Sequence, residues 1–240
     1  MTEHTHTEPP RPVTGLAAIA VAIGFNVPFA ILGATFEYPD VLRRPAGEVL
    51  DLFAAGGAPL ILTWHAFALS ALALAPLAFA LALTRKRVAE APGLAIGAAV
   101  AGALSAMAQA IGLFRWVFVV PGLARVHTDV NATEDAKRAA EQTFDLINQY
   151  GGVAIGEHLG QLLLALFVVL LSSVQWRERK RISAVLGFVT TAAIVVGTNE
   201  GLALALDQSG EVFAMATIGG FVGLTVWLIA TGIGTMRGAR

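Results

Sequence analysis

Six long apolar runs, separated by short segments that hold most of the charge, constrain this chain more than any other feature. Each run has roughly 20 residues, the length an α-helix needs to cross the hydrocarbon layer of a bilayer. Within that layer the backbone has no water to bond, so a helix, which closes its own hydrogen bonds, is the fitting conformation. Composition agrees. The 240 residues are 56% hydrophobic and 14% charged, whereas soluble domains carry about a quarter charged residues. A net charge of −1 gives no basis for binding nucleic acid, and the lack of cysteine removes disulfides, thiolate metal sites and Cys nucleophiles.

The runs predict spans near Gly15–Phe36, Pro59–Leu83, Gly93–Phe118, Val153–Val174, Ser183–Leu206 and Val212–Thr235. Residues 1–14 are polar and Pro-rich, without the basic start of a secretory signal, so they read as a disordered tail before an uncleaved first span. His4 and His6 in this tail are read as incidental, solvated histidines. Lys and Arg set orientation. One side collects Arg11, Arg85-Lys86-Arg87, Arg177, Arg179, Lys180, Arg181, Arg237 and Arg240. The other holds Arg43, Arg44, Arg115, Arg125, Lys137 and Arg138, dispersed through two longer loops. Dense clusters thus alternate as six spans require, which places both termini in the cytoplasm and leaves residues 15–240 as one transmembrane domain.

The outer loops, 37–58 and 119–151, carry helical patterns of their own. Pro45 suits the first position of a helix whose stripe is Val49, Leu50 and Phe53, ended by Gly56-Gly57. Asn131 and Glu134 have capping-box spacing, and Ala136, Ala140, Phe144 and Ile147 share one face before Gly151-Gly152. The expected architecture is therefore all-α: an integral membrane bundle of about six transmembrane helices with two short amphipathic helices on the outer side. Those helices either cap the bundle or anchor the loops in the interface.

Glycines recur at four-residue spacing in span four (Gly152, Gly156, Gly160) and in span six (Gly219, Gly223), which lets neighbouring helices approach closely. Asn26 and Pro28 predict a local break in span one, because Pro removes a backbone donor.

An ionised side chain in the hydrocarbon costs about 3 kcal/mol and usually faces protein. The polar residues of the spans therefore deserve placement by depth. His65, Gln109, Glu157, His158, Asn199, Glu200 and Asn26 lie on five helices, all roughly 6–15 Å below the outer interface at 1.5 Å per residue. Glu157 and Gln161 share a helical stripe, while His158 points about 100° away. Arg115 and Trp116 read as interfacial anchors, with Arg115 alternatively the counter-ion of Glu157 or Glu200. His127, in an outer loop with no neighbour of its kind, reads as solvated.

Three readings of this polar layer stay open: a buried network fixing helix register, a site for a small molecule, ion or proton on the outer side, and a metal or haem centre. His65, His158, Glu157 and Glu200 are the candidate ligands for the last. The sequence identifies no cofactor and no protein partner, and the lipid bilayer is the partner it does imply. It contains no phosphate-binding loop, no Gly-x-Ser-x-Gly elbow and no His-Glu-x-x-His motif. An enzymatic role is neither indicated nor excluded.

The segments Tyr38-Pro39-Asp40-Val41-Leu42-Arg43, Gly112-Leu113-Phe114-Arg115-Trp116 and Tyr150-Gly151-Gly152-Val153-Ala154-Ile155-Gly156-Glu157-His158-Leu159-Gly160 resemble a bacterial membrane family, the domain of unknown function 4386. The resemblance covers nearly the whole chain after the tail. It implies a multi-spanning protein of the bacterial inner membrane and transfers no reaction or catalytic residue.

Overall fold

The apolar runs do form helices. The computed structural model describes residues 9–206 and 208–238; His4, His6 and Arg240 lie outside the described residues. Among the described residues there is no strand. Six helical stretches are long and apolar enough to cross a membrane: Pro12–Phe36, Ala46–Ala82, Pro92–Thr128, Glu134–Arg177, Arg181–Ala203 and Val212–Arg237. This is the all-α membrane architecture expected from the sequence.

In chain order the helices are α1 (Pro12–Phe36), α2 (Ala46–Ala82), α3 (Arg85–Glu90), α4 (Pro92–Phe118), α5 (Val120–Thr128), α6 (Glu134–Ile147), a π-helical stretch (Asn148–Leu159), α7 (Gly160–Arg177), α8 (Arg181–Gly197), α9 (Asn199–Ala205) and α10 (Glu211–Arg237). A 3₁₀ turn, Asp40–Arg43, joins α1 to α2.

Several local expectations need correction. Helix α1 runs through Pro28 unbroken; membrane helices accept Pro where neighbouring groups and small adjustments satisfy the freed carbonyl. The outer stripe of α2 is as read, with Val49, Leu50 and Phe53 at most 2% exposed. It meets the span through a kink at Gly57, whose φ of 56° suits a residue without a Cβ. The second loop forms two helices rather than one, α5 and α6. The cap of α6 is Thr133, whose Oγ1 accepts from the Ala136 N–H at 3.2 Å, while Asn131 instead donates its backbone N–H to Asp129 Oδ1 at 2.9 Å. Gly151-Gly152 do not end the run, and the backbone continues through them in π-helical form into α7.

The chain divides into two compact units. The first comprises Met1–Ile23, Ala73–Ser105 and Leu162–Arg240. Its core contains Leu74, Leu81, Leu164, Phe167, Leu171 and Trp227, all fully buried. Helices α8 and α10 lie side by side where Gly220 and Gly223 meet Ile194 and Thr190. Gly219, expected to serve this packing with Gly223, faces open space, and Gly220 takes its place. Buried polar groups tie α7 to α10: Gln175 Nε2 donates to Thr231 Oγ1 at 3.0 Å, and Trp227 Nε1 donates to Gln175 Oε1 at 3.3 Å.

The same unit holds an ion-pair clamp between two connecting segments. Arg87 of α3 donates from Nε and Nη2 to the two carboxylate oxygens of Glu178, at 2.6 and 2.7 Å, and from Nη1 to the Leu81 carbonyl. Lys180 Nζ adds a contact to Glu178 at 2.9 Å. Both partners are nearly inaccessible, Arg87 at 5% and the Glu178 side chain at 9% exposed. Burial by itself would raise the Glu178 carboxyl, but the hydrogen bonds and charges of Arg87 and Lys180 overcome it and lower the group to about 2.

The second unit comprises Gly24–Leu72 and Ala106–Gln161. It contains most of the polar residues singled out above.

Candidate functional site

The second unit is organised by an antiparallel contact between α4 and the π-helical stretch with the first residue of α7. Three side-by-side positions define its register. A Cβ built on Gly160 would stand 2.9 Å from Gln109 Cγ, one on Gly112 would stand 2.7 Å from Gly156 Cα, and one on Gly152 would stand 2.5 Å from Arg115 Nη2. The four-residue glycine spacing therefore does what the sequence implied, and the neighbour it admits is α4. At the middle position the two backbones touch. At the outer two, the missing side chains make room for the long polar residues Gln109 and Arg115.

Arg115 occupies the glycine-made space. It is 7% exposed, donates from Nη2 to Asn148 Oδ1 at 2.9 Å and from Nη1 to the Gly112 carbonyl, and lies over the Trp116 ring at 5.1 Å. Glu157 and Tyr38 are close enough to interact with its charge. Its Nε is buried without a hydrogen-bond partner. The interfacial-anchor reading of Arg115 and Trp116 is thus replaced, since both are buried. The alternative, Arg115 as a countercharge to Glu157, is the reading that remains.

Trp116 has no exposed surface and stacks on Trp64, with ring centroids 4.8 Å apart and planes 8° from parallel. Phe53 stacks on its ring at 5.7 Å, while Phe36 and Phe144 approach edge-on at 5.4 and 5.7 Å. The amphipathic stripe of α2 and that of α6 therefore insert Phe53 and Phe144 into one aromatic cluster. This explains why both loops are helical: each has an apolar face with a partner. The indole Nε1 atoms of Trp64 and Trp116 are buried without an acceptor, as is His65 Nδ1. An unpaired buried donor costs roughly 1–3 kcal/mol, so the two indole N–H groups and Arg115 Nε are polarity retained against stability within this unit.

The other candidates fall as follows. Gln109 is buried against Gly160, and Gln161 is buried beside it in sequence. Glu157 and His158 are both half-buried and both have polar partners. Both lie in the π-helical stretch, where a turn closes i to i+5 rather than i to i+4. His65 is half-buried, its ring 6.0 Å from that of Phe114. Asn26 lies on the exposed face of α1. Asn199 and Glu200 belong to the first unit, at the start of α9. There Asn199 Nδ2 donates to the carbonyls of Val195 and Val196 at 3.0 and 3.2 Å, capping the end of α8. Glu200 is half-buried with polar partners of its own.

His127 is not solvated as expected. Its side chain is 13% exposed and lies between two carboxylates, Nε2 3.5 Å from Asp51 Oδ1 and Nδ1 3.3 Å from Glu141 Oε1. These contacts join α5 to α2 and α6. Among the described residues no three His, Asp or Glu side chains are grouped so that they could hold a metal ion.

Sequence reasoning missed Trp64, Asn148 and Tyr38. Trp64 adjoins His65, and its depth in the span was the available signal, since a Trp well inside the bilayer needs a partner for its N–H. Asn148 carried no such signal before the helix was known to continue past Gly151.

The sequence model of one family, described as a domain of unknown function (DUF4386), matches residues 13–232. No curated protein and no solved structure matches the chain.

Proposed function

Because the chain belongs to the DUF4386 family, whose description assigns no activity, its role has to be argued from its own side chains, and we propose that it binds a small polar molecule, an ion or a proton at a site centred on Arg115 and Glu157. It does so as a multi-pass protein of a bacterial cytoplasmic membrane, with both termini cytoplasmic and the site near the outer face. His65, His158 and Gln109 are its supporting groups within the same unit, while Asn26, of similar depth, lies on the exposed face of α1. The observation that carries this reading is the buried Arg115 guanidinium, held by Asn148 and the Gly112 carbonyl, interacting with Glu157 and leaving Nε unpaired. A purely structural residue would more economically have all its donors satisfied. Leaving a guanidinium alone in apolar surroundings costs roughly 3–5 kcal/mol, so protonation of Glu157 or its replacement would favour a ligand that takes up the freed donors of Arg115.

Glu157→Gln in detergent-purified protein tests this. Infrared difference spectra across a pH step should show a protonating carboxyl band in wild type that disappears in the variant. Titration with sodium, chloride and acetate, read by Trp64 and Trp116 fluorescence in a Trp176→Phe, Trp227→Phe background, should show a response lost in Glu157→Gln. A folded Glu157→Gln protein with the same carboxyl band and the same fluorescence titrations as wild type would contradict the proposal. Stoichiometric metal, or a haem absorbance lost on replacing His65 or His158, would replace it with the redox reading that uses His65, His158 and Glu157. Glu200→Gln is a separate comparison, as that residue sits in the other unit.

A further inference from the structure

The two connecting segments joined by the Arg87–Glu178 clamp have a charge pattern that the clamp does not explain. Residues 83–92 and 176–183 contain seven cations and two carboxylates. Glu178 is already taken, bonded by Arg87 and Lys180. Arg85 and Lys86 in α3, and Arg177 and Arg179 beside Glu178, have no carboxylate within ion-pair distance among the described residues. The only other carboxylate of these segments, Glu90, is exposed at the far end of α3. Because Arg87 and Glu178 are in contact at 2.6 Å, their sequence neighbours are brought into one patch. Folding therefore gathers like charges that would repel, and a short-range anion is the natural compensation.

The chemistry of the surroundings narrows the anion. Arg177 ends α7 and Arg181 begins α8, so the patch lies where apolar spans meet polar segments. Trp176 is 44% exposed, and the Arg181 guanidinium stacks over its ring at 3.7 Å. An exposed Trp covered by a cation at a span end is the arrangement of the headgroup level of a bilayer. We propose that this patch is a binding site for anionic phospholipid headgroups, with Arg85, Lys86 and Arg177 contacting phosphodiester oxygens and the clamp holding them in register. Two connecting segments separated by 91 residues are thereby bridged by protein on one side and by lipid on the other.

Trp176 serves as the reporter in a Trp64→Phe, Trp116→Phe, Trp227→Phe background. Phosphatidylglycerol titrated into detergent-solubilised protein should change its fluorescence saturably, while phosphatidylcholine should not. The triple variant Arg85→Gln, Lys86→Gln, Arg177→Gln leaves the clamp intact and should weaken the apparent affinity about tenfold or more. Arg85→Lys with Arg177→Lys should restore most of it, since the headgroup requires charge. Native mass spectrometry of protein without the Trp changes should retain phosphatidylglycerol on wild type and lose it on the triple variant. Equal response to phosphatidylcholine, or undiminished phosphatidylglycerol binding by a folded triple variant, would overturn the proposal. So would full competition by millimolar inorganic phosphate, which would assign the patch to a soluble anion.

Discussion

At the scale of single residues, the glycines decide where polar side chains can go. Gly152, Gly156 and Gly160 were legible as a close-packing pattern, yet their partner was not, because spacing on one helix carries no information about the helix opposite. The structure distinguishes them sharply from other glycines. A Cβ on Gly112 would meet backbone, the Gly156 Cα and the Gly151 carbonyl, neither of which can swing aside. One on Gly219 would meet nothing within 4 Å. Gly112→Ala should therefore destabilise the protein by about 1–3 kcal/mol, as over-packing does, while Gly219→Ala should be neutral or stabilising by up to about 1 kcal/mol through helix propensity. Thermal unfolding of the two variants in detergent, followed by tryptophan fluorescence, makes the comparison. Equal shifts would deny the α4 contact its role. Trp116 shows the opposite limit of sequence reading. A Trp at the end of a span, next to Arg, looks like an interfacial anchor, and only its pairing with Trp64, more than fifty residues earlier, reveals it as core.

Among the elements, those whose apolar stripes find a local reason were readable. The stripes Val49-Leu50-Phe53 and Ala140-Phe144 were visible because helical periodicity survives in short segments. The π-helical stretch was not, since a glycine pair ordinarily signals a stop, and its continuation depends on packing against α4. The Arg87–Glu178 clamp was likewise hidden. Glu178 stands among four cations in sequence, so it looked like a minor interruption of a basic cluster rather than the acceptor of a distant arginine. It makes the clamp acid-sensitive in a defined direction. With the carboxyl lowered to about 2 in the folded protein, the stabilisation is present in full above the unfolded value near 4.5 and declines as pH falls toward 2. A depression of that size corresponds to roughly 3 kcal/mol. Melting temperature should therefore fall between about pH 5 and pH 2 in wild type, with a smaller fall in Glu178→Gln, which should already be destabilised at pH 7 because Arg87 is left buried beside a neutral group. Identical pH profiles for the two proteins would remove the clamp from the account.

For the whole molecule, span number and helix type were legible because the bilayer sets the length of each apolar run, independent of how the helices pack. The site was only half legible. Depth along each helix placed Glu157, Gln109 and His65 in one layer and left Arg115 as an interfacial anchor, but depth says nothing of azimuth, and Asn199 proved to cap the end of α8 while Asn26 lies on an exposed face. The proposed function has that layer facing the outer side, as it would if the positive charge of Arg85–Arg87 and Arg177–Arg181 is retained in the cytoplasm. Single cysteines in this cysteine-free chain test the arrangement. Glu90→Cys lies at the exposed end of α3 and Asp129→Cys just after α5, also exposed. On intact cells an impermeant maleimide should label Asp129→Cys and leave Glu90→Cys unmodified until the membrane is opened. Labelling of Glu90→Cys alone would turn the protein over, put the Arg115–Glu157 layer near the cytoplasmic face, and contradict the account.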